Sequence, residues 1–147
     1  MSVKVEAAFG DRSGRGYRLS VSSRRPGGRV DAWVPELAPS HALRRLFRLG
    51  ACSWRAFVDS YKRELSGALA QEALKPLALL SRRRALVVCC DCLQKRRCHH
   101  GALAEALERC RRSGRFALAA PCGPSTRWRT WLAAAVTSLA PRRPGMP

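Results

Sequence analysis

The feature of this sequence that most constrains its fold is a continuous apolar run at residues 85–89, which reads ALVVC. The run has the length of a β-strand, and it lacks the alternation of apolar and polar residues that marks a strand with one face in water. Strands buried on both faces are typical of parallel sheets, because crossover helices cover both sides of such a sheet. The run therefore predicts a central strand in an α/β domain.

Three other segments have strand character. Residues 3–9 and 17–21 are β-branched or alternate apolar residues with polar ones, and the turn-rich sequence GDRSGRG separates them. Residues 116–120 form a last strand candidate before the turn sequence PCGPST. These segments predict the remainder of the sheet.

Helical periodicity lies between and after the predicted strands. Ser40 and Ser53 each precede such a segment and offer a hydroxyl as an N-cap. Pro76 is expected to kink or divide the helix that contains it, because proline lacks a backbone donor and clashes with the preceding turn. The helices are predicted over residues 41–49, 54–65, 68–81, 101–112 and 126–139.

The first two helices have clear apolar stripes. Leu43, Leu46 and Phe47 are expected to form the buried side of the first helix. The stripe of the second helix is predicted to be Trp54, Phe57, Val58, Tyr61 and Leu65. We interpret these aromatic side chains as core and not as a platform on which nucleic-acid bases stack.

Strands that alternate with helices predict an α/β fold, a single domain with a small, largely parallel central sheet flanked by helices. The domain is expected over residues 1–140, followed by a basic, proline-rich tail at residues 141–147. A chain of 147 residues is long enough to bury a stable core without disulfides. No apolar run approaches the roughly 18 residues of a membrane span, so no membrane association is expected.

The charge of the chain is its strongest functional signal. Lys and Arg number 28 against 10 Asp and Glu, which gives a net charge of +18. Arginine supplies nearly all of this positive charge, and its planar guanidinium matches the geometry of phosphate. A surface of this kind repels itself, so a polyanionic partner is the first inference.

The cysteine content indicates the compartment. The 7 cysteines make an odd number, and no positively charged segment followed by an apolar one opens the chain as a secretory signal does. We therefore expect a reducing intracellular compartment, either the cytoplasm or an organelle matrix such as that of the mitochondrion.

Several segments resemble a known family. The sequences GYRLSV, DAWVPELAPSHALRRLF and WRAFVDSYKREL are similar to the bacterial domain-of-unknown-function 488 family in its YeaO-like branch. Members of that family often carry a strand that ends in C-x-E and a C-H-R sequence that opens a helix. Residues 89–91 resemble the first element, and Cys98 with His99 resembles the second. The resemblance implies an α/β fold and assigns no reaction.

The chain departs from the family pattern at two places. Residues 22–28 stand where the branch usually has D-R-x-W-P-R-G, so the acid and the tryptophan of that segment are missing. His100 replaces the arginine of C-H-R. If the family has an active site, these departures imply that its signature is eroded in this chain.

The segment CCDCLQKRRCHH at residues 89–100 allows three interpretations. As an enzyme site, it would use Cys98 with His99 and Asp91, because a helix start and adjacent cations favour a thiolate. As a zinc site, it would use the tetrahedral donor set Cys90, Cys92, Cys98 and His100. The third interpretation, which we favour over the other two, is a cysteine-rich core and loop that holds no metal or other cofactor and no catalytic residue, with Cys89 buried in the strand.

Basic clusters occur along the whole chain, mostly at the ends of predicted elements. A protein embedded among several RNA backbones needs positive charge on many sides, and its phosphate contacts do not depend on base sequence. Residues 109–115 carry a further basic cluster. The predicted nucleic-acid-binding residues are Arg24, Arg25, Arg29, Arg44, Arg45, Arg48, Arg82, Arg83, Arg84, Lys95, Arg96, Arg97, Arg127, Arg129, Arg142 and Arg143.

These observations favour a non-catalytic protein that contacts RNA as a structural or assembly component of a ribonucleoprotein particle such as a ribosome. Its partners would be ribosomal RNA and neighbouring proteins of the particle. Two alternatives stay open: a small enzyme that acts on an anionic substrate through the Cys/His segment, and a DNA-binding accessory protein. We also expect the final helix and the tail at 141–147 to dock onto the particle.

Overall fold

The computed structural model describes residues 16–92 and 96–113 of the chain. Two strands come first, a short 3-10 helix at Pro35–Leu37 and three α-helices follow, and a third strand and a fourth α-helix complete the described part. In chain order they are β1 (Tyr17–Ser20), β2 (Ala32–Trp33), α1 (His41–Arg48), α2 (Trp54–Leu65), α3 (Ala68–Ser81), β3 (Leu86–Cys89) and α4 (His100–Ser113). The predicted strands at 3–9 and 116–120, the predicted helix at 126–139 and the tail at 141–147 lie outside the described residues.

The three described strands form one parallel sheet in the order β2-β1-β3. Tyr17 pairs with Leu86 and Ser20 with Cys89, so β1 and β3 run side by side over their full length. All four residues of β3 are buried. The prediction of a buried strand at the ALVVC run is therefore confirmed, and with it the α/β fold.

β2 was not predicted, because it has only two residues and no periodicity to reveal it. Leu19 pairs with Ala32 in this short parallel ladder. Beyond the ladder, the Val34 amide donates to the Ser20 carbonyl at 2.8 Å. β3 pairs with one side of β1, and β2 forms where residues 32–33 hydrogen-bond to the other side.

The predicted helix starts are confirmed by capping hydrogen bonds. The Ser40 hydroxyl accepts from the Leu43 amide at 3.2 Å, and the Ser53 hydroxyl accepts from the Ala56 amide at the same distance. Pro76 lies inside α3 without dividing it. We attribute the intact helix to burial, since most of the apolar side chains around this proline are fully covered.

The predicted stripe of α1 is partly wrong. Leu43 is buried, but Leu46 is 48% exposed and Phe47 is only half-buried. Phe47 packs instead against the rings of Trp54 and Phe57, with centroid distances of 5.5 and 5.1 Å. This aromatic contact joins α1 to α2 near the surface. Leu46 lies outside the buried core.

The stripe of α2 is largely as predicted. Phe57, Tyr61 and Leu65 are buried, whereas Val58 and Trp54 are only half-buried. Trp54 stacks on Phe57 with ring centroids 5.2 Å apart.

Across residues 16–92 and 96–113, no helix is long and apolar enough to cross a bilayer.

Candidate metal centre

The cysteine-rich segment lies where β3 ends and α4 begins. Because the three strands are parallel, their carboxyl ends share one edge of the sheet. Cys90 and Cys92 follow β3 at this edge, and Cys98 and His99 come directly before α4. The carboxyl edge of a parallel sheet and the start of a helix are the places where α/β proteins bind ligands.

Four side chains converge there into one cluster. The sulfur atoms of Cys90, Cys92 and Cys98 and a ring nitrogen of His99 all lie within 4.8 Å of one another. Cys90 Sγ and Cys98 Sγ are 2.9 Å apart, and Cys92 Sγ lies 3.0 Å from His99 Nδ1. We call these four residues the Cys/His cluster.

The Cys/His cluster is mostly enclosed. His99 is 2% exposed, Cys90 4% and Cys98 9%, whereas Cys92 is only half-buried. Cys92 is therefore the member that solvent or a small reagent reaches first. Burial of three donors keeps water from competing for their sulfur and nitrogen atoms.

Tyr61 of α2 holds the ring of His99 from one side. The two rings meet edge to face with their centroids 5.3 Å apart. The Tyr61 hydroxyl donates to the Leu37 carbonyl oxygen at 2.6 Å, which fixes the tyrosine against the short 3-10 helix. His99 Nε2 is buried and has no hydrogen-bond partner among the described residues, so the ring presents only Nδ1 to the cluster.

The pKa values of the three clustered thiols are shifted in different directions. Hydrogen bonds from Cys90, Cys98 and His99 lower the pKa of Cys92, while hydrogen bonds with Cys92 and Cys98 raise that of Cys90. For Cys98 the hydrogen bond with Cys90 lowers the pKa, but the bond with Cys92 and burial outweigh it and raise the pKa to about 11. The first thiolate of the cluster therefore resides on Cys92, where its neighbours stabilise the negative charge.

An ion pair borders the cluster. Arg44 of α1 pairs with the carboxylate of Asp91, and its guanidinium also donates to the Ser23 hydroxyl. The side chains of Arg44 and Asp91 are 19% and 30% exposed. This pair ties α1 to the segment that follows β3 at the carboxyl edge of the sheet.

The structure changes the predicted zinc set in one member. Cys90, Cys92 and Cys98 come together as expected, but the histidine that joins them is His99 and not His100. His100 is the first residue of α4, and its Nδ1 is buried without a hydrogen-bond partner among the described residues. Adjacent histidines carry the same sequence signal, so only the backbone direction at the start of α4 distinguishes them.

The predicted catalytic set is likewise rearranged. His99 faces Cys92, whereas Cys98 faces Cys90. The carboxylate of Asp91 binds Arg44. The closest pairing of a thiol with an imidazole is thus Cys92 with His99, a pair that sequence reasoning missed because Cys98 adjoins His99 in the chain.

The described members of the predicted nucleic-acid-binding set are nearly all exposed. Arg44 is the exception, since its guanidinium is engaged with Asp91 and Ser23. Arg82 is exposed, and its guanidinium donates to the Arg111 carbonyl. The exposed members of the predicted set are Arg24, Arg25, Arg29, Arg45, Arg48, Arg82, Arg83, Arg84, Arg96 and Arg97. Lys95, Arg127, Arg129, Arg142 and Arg143 lie outside the described residues.

The exposed basic clusters lie at both edges of the sheet. Arg24 and Arg25 follow β1 at its carboxyl edge, and Arg96 and Arg97 precede α4 near the same edge. Residues 82–84 precede β3 and so lie at the amino edge. Positive charge is thus not confined to the surroundings of the Cys/His cluster.

Fold and site define an α/β protein with a parallel sheet and a Cys/His cluster at its carboxyl edge. The family model of the active DUF488-N3 subclade matches residues 5–111, and the chain belongs to this family. The resemblance inferred from the sequence is thereby confirmed. No curated protein and no solved structure matches the chain.

Proposed function

We propose that the protein binds one zinc ion through Cys90, Cys92, Cys98 and His99, and that the metal-stabilised edge of its sheet contacts the phosphate backbone of structured RNA. The observation that carries the proposal is the convergence of these four donors within 4.8 Å. In a tetrahedral zinc site with bonds of about 2.3 Å, sulfur ligands lie roughly 3.8 Å apart. Two of the sulfur atoms are 2.9 Å apart and all four donor atoms lie within 4.8 Å of one another, a range that includes this spacing. Small side-chain shifts therefore suffice to bind the ion.

The donor set favours zinc over other metals. Three thiolates and an imidazole suit a borderline-soft ion, whereas magnesium and calcium prefer oxygen ligands. Four protein ligands close the coordination shell, which is characteristic of a structural site. The ion would join the end of β3 to the start of α4 and so hold the segment between them in one conformation.

A reducing compartment, either the cytoplasm or an organelle matrix, is part of this proposal. The six described cysteines are free thiols. Thiols in such a compartment are available to bind metal. The four donors of this chain are already clustered, which lowers the entropy lost when they are ordered around the ion.

The RNA contact is supported by the distribution of charge. Exposed arginines lie at both edges of the sheet as well as on the helices, and the net charge is +18. Contacts on several sides match a protein that lies among RNA segments and neighbouring proteins of a particle such as a ribosome. A metal-held segment at residues 90–99 would keep Arg96 and Arg97 ordered and so lower the entropy lost when they bind phosphate.

Metal analysis tests the zinc site. Protein purified under reducing conditions is expected to contain one zinc per chain, measured by inductively coupled plasma mass spectrometry. Cys90→Ser or His99→Ala should abolish stoichiometric zinc. Cys110→Ser is the matched control, because Cys110 is half-buried on α4 and is not a member of the cluster. A metal-free protein that takes up no added zinc would refute the site.

Salt-dependent binding tests the RNA contact. Affinity for a structured RNA should fall steeply with salt, and replacing both Arg96 and Arg97 by Gln should reduce the log–log slope by about 2. Replacing the exposed Arg55 and Arg63 of α2 by Gln removes the same charge outside the proposed surface. Equal losses in the two double variants would contradict a specific surface, and preference for duplex DNA of equal length would indicate the DNA-binding alternative.

A thiol enzyme that acts on an anionic substrate is the second candidate. It is favoured by the 3.0 Å separation of Cys92 Sγ and His99 Nδ1 and by the lowered pKa of Cys92. The description of the matched subclade as active also supports it. A paired thiol and imidazole is the arrangement of an activated nucleophile. Rapid and selective alkylation of Cys92 by iodoacetamide below pH 7, in protein as purified, would support the enzyme, whereas bound zinc should protect this thiol.

A further inference from the structure

Two buried thiols of the Cys/His cluster lie almost close enough to bond. Cys90 Sγ and Cys98 Sγ are 2.9 Å apart, whereas a disulfide bond measures about 2.05 Å. Cys92 lies in the same cluster and is more exposed than either. The site therefore combines a thiol that a small oxidant can reach with a thiol pair that needs little movement to close.

We propose that hydrogen peroxide oxidises this cluster to a Cys90–Cys98 disulfide and thereby releases the bound zinc. The release of metal rests on the zinc site proposed above. A disulfide takes two of the four donors, because a sulfur in a disulfide no longer carries the negative charge of a thiolate. The remaining pair, Cys92 and His99, cannot complete a tetrahedral shell.

The chemistry balances with peroxide as the oxidant. Cys92 Sγ attacks one peroxide oxygen, the O–O bond breaks, and the products are a sulfenic acid and hydroxide, which takes up a proton to become water. Cys98 Sγ then attacks Cys92 Sγ, and the sulfenic hydroxyl leaves as a second water. Exchange by Cys90 at Cys98 Sγ returns Cys92 as a thiol. In sum, two thiols and one peroxide give one disulfide and two waters.

The other described thiols are poorly placed for this reaction. Cys89 is buried within β3, and Cys52 and Cys110 are half-buried outside the cluster. A sulfenic acid formed on Cys52 or Cys110 has no clustered partner to resolve it. We therefore expect oxidation to be selective for the pair between β3 and α4.

Peptide mapping tests the disulfide. After peroxide treatment, free thiols are alkylated and the protein is digested with trypsin, which cuts at residues 84, 95, 97 and 109. Cys90 and Cys98 then lie in separate peptides, 85–95 and 98–109, so the bond appears as a crosslinked pair in non-reducing mass spectrometry. Fragmentation assigns the sulfur within 85–95.

The variants separate the steps. Cys92→Ser should slow crosslinking at least tenfold yet give the same disulfide. Cys90→Ser should stop at the Cys92–Cys98 disulfide, which fragmentation of the crosslinked peptides distinguishes, and Cys110→Ser should react as the parent does. A Cys92–Cys98 disulfide as the stable product of the parent protein, or oxidation to sulfinic acid without any crosslink, would overturn the proposal.

Release of zinc is measured with a chromogenic zinc indicator during the same peroxide treatment. Zinc should appear at the rate at which the crosslink forms, and a thiol reductant should restore binding. The crosslink is measured in metal-free protein as well, so it can succeed or fail independently of the zinc site. A crosslinked protein that retains stoichiometric zinc would refute the coupling of oxidation to metal release.

Discussion

Replacing Tyr61 by Phe removes one buried hydrogen bond while keeping the ring that supports His99. The tyrosine is 1% exposed, and its hydroxyl donates to the Leu37 carbonyl at 2.6 Å. Leu37 is itself fully buried, so water cannot replace the missing donor. The substitution therefore tests how much the contact between α2 and the 3-10 helix stabilises the wall of the metal site.

The expected loss of stability follows from the burial of the acceptor. A buried polar group left without its partner lowers the free energy of unfolding by about 1–3 kcal/mol. For a chain of this size the loss corresponds to a decrease of roughly 3–9 °C in melting temperature. Zinc content should stay unchanged, because Phe preserves the edge-to-face contact with His99.

The chain contains its own control for this measurement. Tyr17, the other tyrosine, donates to the Asp31 carbonyl at 3.3 Å in an exposed hydrogen bond. Tyr17→Phe should lower the free energy of unfolding by less than Tyr61→Phe does, since Asp31 is exposed and water can hydrogen-bond to its carbonyl in place of the phenol. Urea unfolding followed by circular dichroism compares the two variants, and an unchanged m-value shows that only stability has altered. Equal destabilisation by both substitutions would refute the argument from burial.

Four further outcomes follow from the structure. Burial raises the pKa of Tyr61, so the unfolded chain loses this proton at about pH 10 while the folded one keeps it, and stability should fall as pH rises above 10; the fall should be smaller in Tyr61→Phe. Leu74→Ala in α3 should lower the free energy of unfolding by about 2–5 kcal/mol, whereas Leu69→Ala, at a residue 73% exposed, should change it by less than about 0.5. Gly16→Ala should lower the melting temperature, because its Cβ would lie 2.9 Å from Val87 Cγ2 and 3.0 Å from a carbonyl oxygen. Removing zinc with a chelator should lower the melting temperature measured by calorimetry, and added zinc should restore it.

Local patterns were sufficient to predict much of the fold. The ALVVC run identified β3, because an apolar run of this length without alternation suits a short strand that is covered on both faces. Ser40 and Ser53 identified the starts of α1 and α2, since a cap acts on amides within its own turn. The i, i+3, i+4 spacing in α2 identified Phe57 and Tyr61 as core. Each of these features depends on residues close together in the chain.

The site needed tertiary structure, because its contacts join segments that the sequence keeps apart. Cysteine and histidine content indicated a metal or thiol site, but the choice of His99 over His100 depends on the direction of the backbone at the start of α4. The pairing of Arg44 with Asp91, 47 residues apart, likewise has no local signal. Sequence by itself determined which elements form and which residue types the loop offers. Tertiary packing decided which donor atoms meet, since their distances depend on how β3, α2 and α4 are held against one another.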